Sequence, residues 1–318
     1  MNPKSLEFSP FYRLQKKSSL ATLLRVPLKK ITKMVSVLNT NPDKYYNVFT
    51  SYDNPKKTRV IEEPRDNLKK IHSRIKTLLM RTETPEWLIS GKKGKSIVDN
   101  ALPHLTAQFV TCVDIEKFYK STSRERILQT FIYTFKTSSD VARLLTNLIM
   151  YYDAKADKCF VPTGSPCSQT VAFWTYYHTF TDIAAYVSSL GIKMTLYVDD
   201  LTFSFDRRIP RQVITNINNR LKSVGLSLKL SKIKVYGPSQ YKTITGNCIT
   251  PNNKLIPTRK LRKEISEAVR NKKLKDLSVR ELRRINGKIS ATHQQDPNTF
   301  RPLQHKVQKI LKEKLHSK

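Results

Sequence analysis

The stretch MTLYVDDLTFSF (194–205) decides the fold. Two β-like runs, MTLYV and LTFSF, flank Asp199–Asp200 with nothing else between them, which reads as a hairpin with an acidic two-residue turn. Neighbouring carboxylates at a tight turn project from one end of a sheet and repel each other. Such a pair costs stability unless a cation bridges it. A hard divalent cation such as Mg2+ prefers carboxylate oxygens. Taken alone, two aspartates in a turn are ordinary turn chemistry; the elements around them give the pair its weight.

Upstream, FVTCVDI (109–115) is a short, nearly continuous apolar run of the kind that forms a buried strand, with its single charge, Asp114, near its end. A helical region follows at roughly 124–152, then a long apolar helix over 168–190, ended by Gly191. Asp114 fits the place of a third carboxylate on a neighbouring strand. Three carboxylates can hold two metal ions ~3.5–4 Å apart, a geometry that stabilises both the attacking and the leaving oxygen in phosphoryl transfer.

Farther out, Leu20, Leu23, Leu24, Leu28, Ile31 and Val35 mark one or two short basic amphipathic helices, broken near Pro27. Residues 45–62 read as a hairpin and Leu68–Leu79 as an amphipathic helix. Residues 211–224 read as a helix, and GLSLKLSKIKVYG and YKTITGNCIT as two more strands. From about 257 the chain becomes a basic three-helix bundle, with Ser278 and Glu281 as a capping box. GKKGKS (91–96) fails as a phosphate loop, because Ile89 stands where the first glycine must be, and reads as a basic turn facing nucleic acid.

The 318 residues carry 58 Lys+Arg against 25 Asp+Glu, a net charge of +33. A chain this basic repels itself and carries its charge for a polyanion, of which nucleic acid is the commonest. There is no apolar run of ~20 residues to span a bilayer, and the four cysteines form no CxxC pair or Cys/His cluster. We expect a cytoplasmic protein with no membrane association.

YVDD (197–200) resembles the YxDD box of reverse transcriptases, and VDIEKFYKS (113–121) resembles their first palm motif. VPTGSPCSQ (161–169) is similar to the family's glycine-centred motif, with Thr163 where Gln is usual and Gln169 where Pro is usual. KKTRVIEEPRDNLKKIH (56–72) resembles the fingers motif of retron and group II intron enzymes. Asn100-Ala101-Leu102-Pro103-His104 matches the NAxxH signature of retron reverse transcriptases, and Ile244-Thr245-Gly246 resembles their VTG signature.

The resemblance implies an α+β chain with the right-hand polymerase fold. Fingers and an antiparallel palm sheet would occupy residues 1–250, with basic N-terminal helices at about 1–40, and a basic helical thumb would occupy 251–318. It implies RNA-directed DNA polymerase activity, with Asp114, Asp199 and Asp200 catalytic and holding two Mg2+ ions. Arg59, assisted by Lys57, would hold the dNTP triphosphate, Tyr119 would exclude the 2′-hydroxyl, Gly164 would admit the nucleotide, and Lys232 would serve the leaving pyrophosphate. Asn100, His104, Arg262 and Arg283 are the expected RNA contacts. The implied partners are a cognate structured non-coding RNA, the RNA-linked single-stranded DNA (msDNA) copied from it, dNTPs, and an accessory effector protein in defence against phage. A group II intron-like or diversity-generating enzyme and a non-enzymatic RNA-binding scaffold remain as alternatives; the lack of a maturase or endonuclease extension after the thumb weighs against the intron reading.

Overall fold

A computed structural model describes residues 4–52, 58–270 and 273–316. The chain is α+β, and its named sheets are antiparallel. Helices α1 (Lys17–Leu24) and α2 (Leu28–Thr40) are separated at Pro27, whose extended backbone ends one direction and starts the next. Strands β1 (Tyr46–Ser51) and β2 (Arg59–Pro64) make the expected hairpin. Lys56 and Lys57, between these strands in the sequence, lie outside the described residues. Helix α3 (Asp66–Leu79) buries Leu68, Ile71, His72, Ile75, Leu78 and Leu79, the three- and four-residue spacing of a one-faced helix.

The short helix α4 (Ile97–Ala101) begins at Ser96, whose hydroxyl and backbone exchange bonds with Val98 and Asp99. After β3 (Phe109–Asp114) come α5 (Phe118–Ser121), α6 (Arg124–Gln129) and α7 (Ser139–Ile149). The single helical region expected at 124–152 is therefore divided. A π-helical turn at Thr130–Thr134 follows α6, Lys136 turns left-handed (φ 52°), and Ser138 caps a new helix. The break is held from outside: Arg13 donates to the Phe135 carbonyl and Ser138 to that of Gln15. Strands β4 (Tyr151–Asp153) and β5 (Lys158–Phe160) form a small hairpin. The long apolar helix is likewise two, α8 (Ser168–Thr175) and α9 (Tyr177–Ser189), divided where Tyr176 leaves helical geometry. Gly191, at φ 73°, ends α9 as expected.

Strands β6 (Lys193–Tyr197) and β7 (Asp200–Phe205) precede α10 (Arg211–Lys222), β8 (Lys234–Tyr236), β9 (Lys242–Ile244), β10 (Asn247–Ile249) and β11 (Leu255–Pro257). The central sheet has the order β6-β7-β3-β8. Asp114 ends β3 directly opposite Asp200, which begins β7. The edge strand β6 is covered, since Leu196 bonds both Trp87 and Ile89 through the backbone. The YKTITGNCIT stretch is not one strand but the hairpin β9–β10, turned at Thr245 (φ 44°) and Gly246 (φ 83°), and β11 completes a second sheet.

One large core runs from Phe11 to Leu228 and joins the N-terminal helices to the central sheet. Helices α11 (Arg259–Arg270), α12 (Val279–His293) and α13 (Arg301–His316) enclose a separate core of Ile265, Leu277, Leu282, Ile285, Ile289, Val307 and Leu311. Ser278 and Glu281 form the expected capping box at the start of α12. Among the described residues, no helix is long and apolar enough to cross a membrane.

Candidate active site

The β6–β7 turn has the expected two residues but lies one position earlier than the sequence suggested. Tyr197 pairs with Asp200, so the two turn residues are Val198 and Asp199, and Asp200 already belongs to β7. Val198 sits at φ 61°, a conformation costly for a β-branched residue. The surroundings enforce it. The Val198 N–H donates to Ser90 Oγ at 2.8 Å, and the Asp199 carbonyl accepts from Ile115 N–H at 2.9 Å. The Asp114 carbonyl is held from the other side by Lys229 N–H at 2.8 Å.

This framework gathers three carboxylates from two strands and a turn. Asp114, Asp199 and Asp200 are half-buried, and one oxygen from each lies within 4.8 Å of the others. Burial raises the pKa of Asp199, and the Asp114 charge raises it further; Arg59 and Lys232 work against the shift. Asp200 is pushed up to about 7, first by burial and then by Asp199 and Asp114. Carboxylates so placed favour either a proton or a cation. Lys232 bonds Asp114 through its ammonium group, putting one positive charge at the cluster's edge. An all-oxygen, all-carboxylate donor set fits hard divalent ions, and these three residues would hold them.

The other expected residues divide into two groups. Arg59, on β2, is exposed and near enough to Asp199 to affect its ionisation. Tyr119 is half-buried, and its hydroxyl pKa is raised by burial and then by the Asp199 charge, which puts it beside the cluster. Phe118, by contrast, is a core aromatic, 4% exposed. Gly164 has no room for a side chain: a Cβ there would lie 2.9 Å from the Glu62 carbonyl, from Glu63 Cα and from Ile61 Cγ2. Its close neighbour is the backbone of β2. Arg262 and Arg283 are exposed on α11 and α12.

Asn100 and His104 require a correction. Both are fully buried, which leaves no atom of either for RNA to touch. The His104 ring bridges Ser204 on β7 (2.7 Å) and Thr195 on β6 (2.8 Å), and burial lowers its pKa to about 3, so it is neutral. Asn100 donates to Thr245 Oγ1 at 2.6 Å, clasping α4 to the β9–β10 turn. Asn100 of the NAxxH string and Thr245 of the ITG string thus meet in one internal contact, while His104 joins β6 to β7.

Three further residues organise the site. Glu62 is 1% exposed yet carries a carboxylate. It accepts from Thr163 N–H at 3.0 Å and faces Lys120 at 3.7 Å, while its own carbonyl accepts from Gly164 N–H at 3.2 Å. One side chain therefore ties the strand bearing Arg59 to the Gly164 turn and to the helix bearing Tyr119. His72, held neutral by burial with its pKa at about 4, donates from Nε2 to the Leu148 carbonyl and accepts at Nδ1 from Ser165. Ser90 supports the acidic turn. Only Glu62 left a trace in the sequence: strand alternation puts it on the same inward face as Pro64. Gln169 lies against Gly91, 3.1 Å from where a Cβ would stand.

The chain belongs to the reverse transcriptase (RNA-dependent DNA polymerase) family, whose model matches residues 41–248, the span holding all three aspartates. Among its relatives are bacterial retron enzymes. It is 27% identical over 240 residues to the retron Se72 reverse transcriptase of Salmonella heidelberg, covering 74% of this chain and 60% of that protein. It is 26% identical over 200 residues to the retron Ec86 reverse transcriptase of Escherichia coli, covering 61% and 59%. Similarity to the retron Ec83 reverse transcriptase of Escherichia coli is 23% over 281 residues, covering 85% and 89%. The matched region thus spans about 60% of the length of the first two relatives.

Proposed function

We propose that this chain is an RNA-directed DNA polymerase of the retron type, copying part of a cognate non-coding RNA into RNA-linked DNA (msDNA). The observation that carries the reading is the meeting of Asp114, Asp199 and Asp200 at one end of the central sheet. In this reading the central sheet is the palm, the β1–β2 hairpin belongs to the fingers, and the α11–α13 bundle is the thumb. The three aspartates hold two Mg2+ ions, which when bound acidify the primer hydroxyl and neutralise the triphosphate. Arg59, with Lys57, grips the triphosphate; a guanidinium can do so bidentately. Tyr119, held beside Asp199, lies against the sugar and leaves no space for a 2′-hydroxyl. Lys232, already bonded to Asp114, offers a proton to the departing pyrophosphate.

Arg262 and Arg283 point outward from the bundle and contact duplex phosphates, giving affinity without sequence information. The retron likeness extends the proposal to an effector partner and a role in defence against phage. Primer extension on an RNA template tests the activity: DNA synthesis by the wild type, lost in Asp199→Ala/Asp200→Ala, is expected. Equal synthesis by both proteins removes the enzyme reading, and no synthesis by either leaves the scaffold reading in its place. A gain of ribonucleotide incorporation in Tyr119→Ala tests the sugar gate; a folded variant without that gain excludes it.

A further inference from the structure

A second cationic site lies among the N-terminal elements. A cavity of about 570 Å³ opens between α1, α2 and α3, within the size range of small-ligand sites. None of the active-site residues described above lines it. Its charged lining is Arg25, Lys30, Lys33, Lys70 and Arg74, with no carboxylate. Among the described residues, none of the five makes an ion pair. Arg25, Lys30, Lys33 and Lys70 are exposed, whereas Leu24, Met34 and Ile71 are buried and Tyr45 is half-buried. The cavity thus has a cationic rim and an apolar, partly aromatic floor.

Arg25 stands where a glycine would be easier. It ends α1 at φ 59°, ψ 38°, and the following N–H closes the turn onto the Ala21 carbonyl. Glycine is the default in that conformation, because a Cβ there crowds the following carbonyl oxygen. Arg74 is fixed by its Nε bond to the Leu23 carbonyl at 2.8 Å, with Arg25 and Arg81 near enough to repel it. The like charges are held together without an internal counter-charge.

We propose that this cavity binds an unpaired nucleotide of the RNA partner, its phosphates on the rim and its base against Tyr45, Met34 and Ile71. A cationic rim over an aromatic floor is the chemistry of single-strand recognition, in which phosphates supply charge and bases stack. A base-paired helix cannot offer a base to the floor. The proposal rests on the polymerase reading for its partner, and names where part of that RNA is held.

The full chain is titrated with a short oligouridylate, an abasic strand of equal length and a blunt-ended RNA duplex. Lys30→Glu/Lys33→Glu/Lys70→Glu is expected to weaken oligouridylate binding by about 10- to 100-fold. The same variant is expected to make the logarithmic salt dependence shallower by about 2, at ~0.7 for each single-strand phosphate no longer neutralised. Arg25→Gly separates binding from folding. It is expected to keep or raise the melting temperature while weakening oligouridylate binding by roughly 3- to 10-fold. The abasic strand is expected to bind less tightly than oligouridylate to the wild type.

Unchanged oligouridylate binding in both variants overturns the proposal. An equal loss on the duplex overturns it too, since that marks a general basic surface. So does tight binding of the abasic strand, or displacement of oligouridylate from the wild type by polyglutamate at equal charge. Primer extension on a short template–primer whose only single-stranded stretch is the template overhang being copied is expected to persist in both variants. Absence of extension in the wild type counts against the polymerase reading, not against the cavity.

Discussion

Two places on the central sheet carry sequence strings of the same apparent importance, and they obey opposite physics. At the acidic end, Asp114, Asp199 and Asp200 crowd like charges together around a strained Val198. At the other place, His104 lies buried between Thr195 and Ser204 with both ring nitrogens bonded. Nearby, Asn100 clasps the Thr245 turn. The first arrangement leaves charge for something outside the chain to neutralise. The second gives the ring nothing further to bind. Repulsion only partly offset by Lys232 and held by a rigid frame marks a site; a buried ring with both nitrogens bonded marks architecture.

The contrast breaks most readily at Asp114. Asp114→Asn removes one carboxylate of the cluster without disturbing the β3–β7 register and should lower DNA synthesis by more than ~10³-fold, read by primer extension at saturating Mg2+. A loss below tenfold would erase the distinction between the two places.

The opposite test falls on the histidine. His104→Ala leaves the Thr195 and Ser204 hydroxyls unpaired and opens a cavity, at a cost of about 2–4 kcal/mol in denaturant unfolding. The remaining folded protein should keep its affinity for metal and its response to RNA. A strong loss of RNA binding at unchanged stability would restore the direct RNA contact that its burial argues against.

Asp200 gives a smaller effect of opposite sign. In the metal-free protein its folded pKa is about 7 against an ordinary 3.8, so the folded state keeps a proton the unfolded chain has lost. Stability from this group is therefore present below pH 4 and lost as pH rises toward 7. Asp200→Asn should stabilise the metal-free protein by about 1–3 kcal/mol at pH 8, with the gain vanishing near pH 4, in paired thermal melts. Mg2+ should narrow the gap at pH 8 by stabilising the wild type alone. Equal melting temperatures at both pH values would mean that the carboxylates do not repel as their spacing implies.

The smallest effect sharpens the link between hairpin and cluster. Glu62→Gln weakens the tie to Thr163 and Lys120 and should raise the KM for dNTP by roughly 3- to 10-fold with kcat nearly unchanged, measured in steady-state extension. A fall in kcat at constant KM would assign Glu62 to the chemistry instead.

Much of this was legible in the residues because it depends on local pattern. Strand alternation with an abrupt doublet of charge exposed the β6–β7 hairpin, and a nearly apolar run ending in Asp114 exposed β3. What escaped depends on distant parts of the chain. The division of 124–152 is imposed by bonds from Arg13 and Gln15. The turn inside YKTITGNCIT uses Thr245, a residue with no turn preference of its own, held by Asn100. A buried neutral histidine and an exposed RNA-binding one look alike in a string of letters. The cationic cavity needed three helices to assemble before its charges became neighbours.

The most direct test of the central claim is a count of Mn2+ ions bound to the chain with template–primer and dNTP, followed by electron paramagnetic resonance. The carboxylate cluster predicts two ions on the wild type, with at least one lost in Asp199→Ala/Asp200→Ala. The same count in both proteins would contradict it.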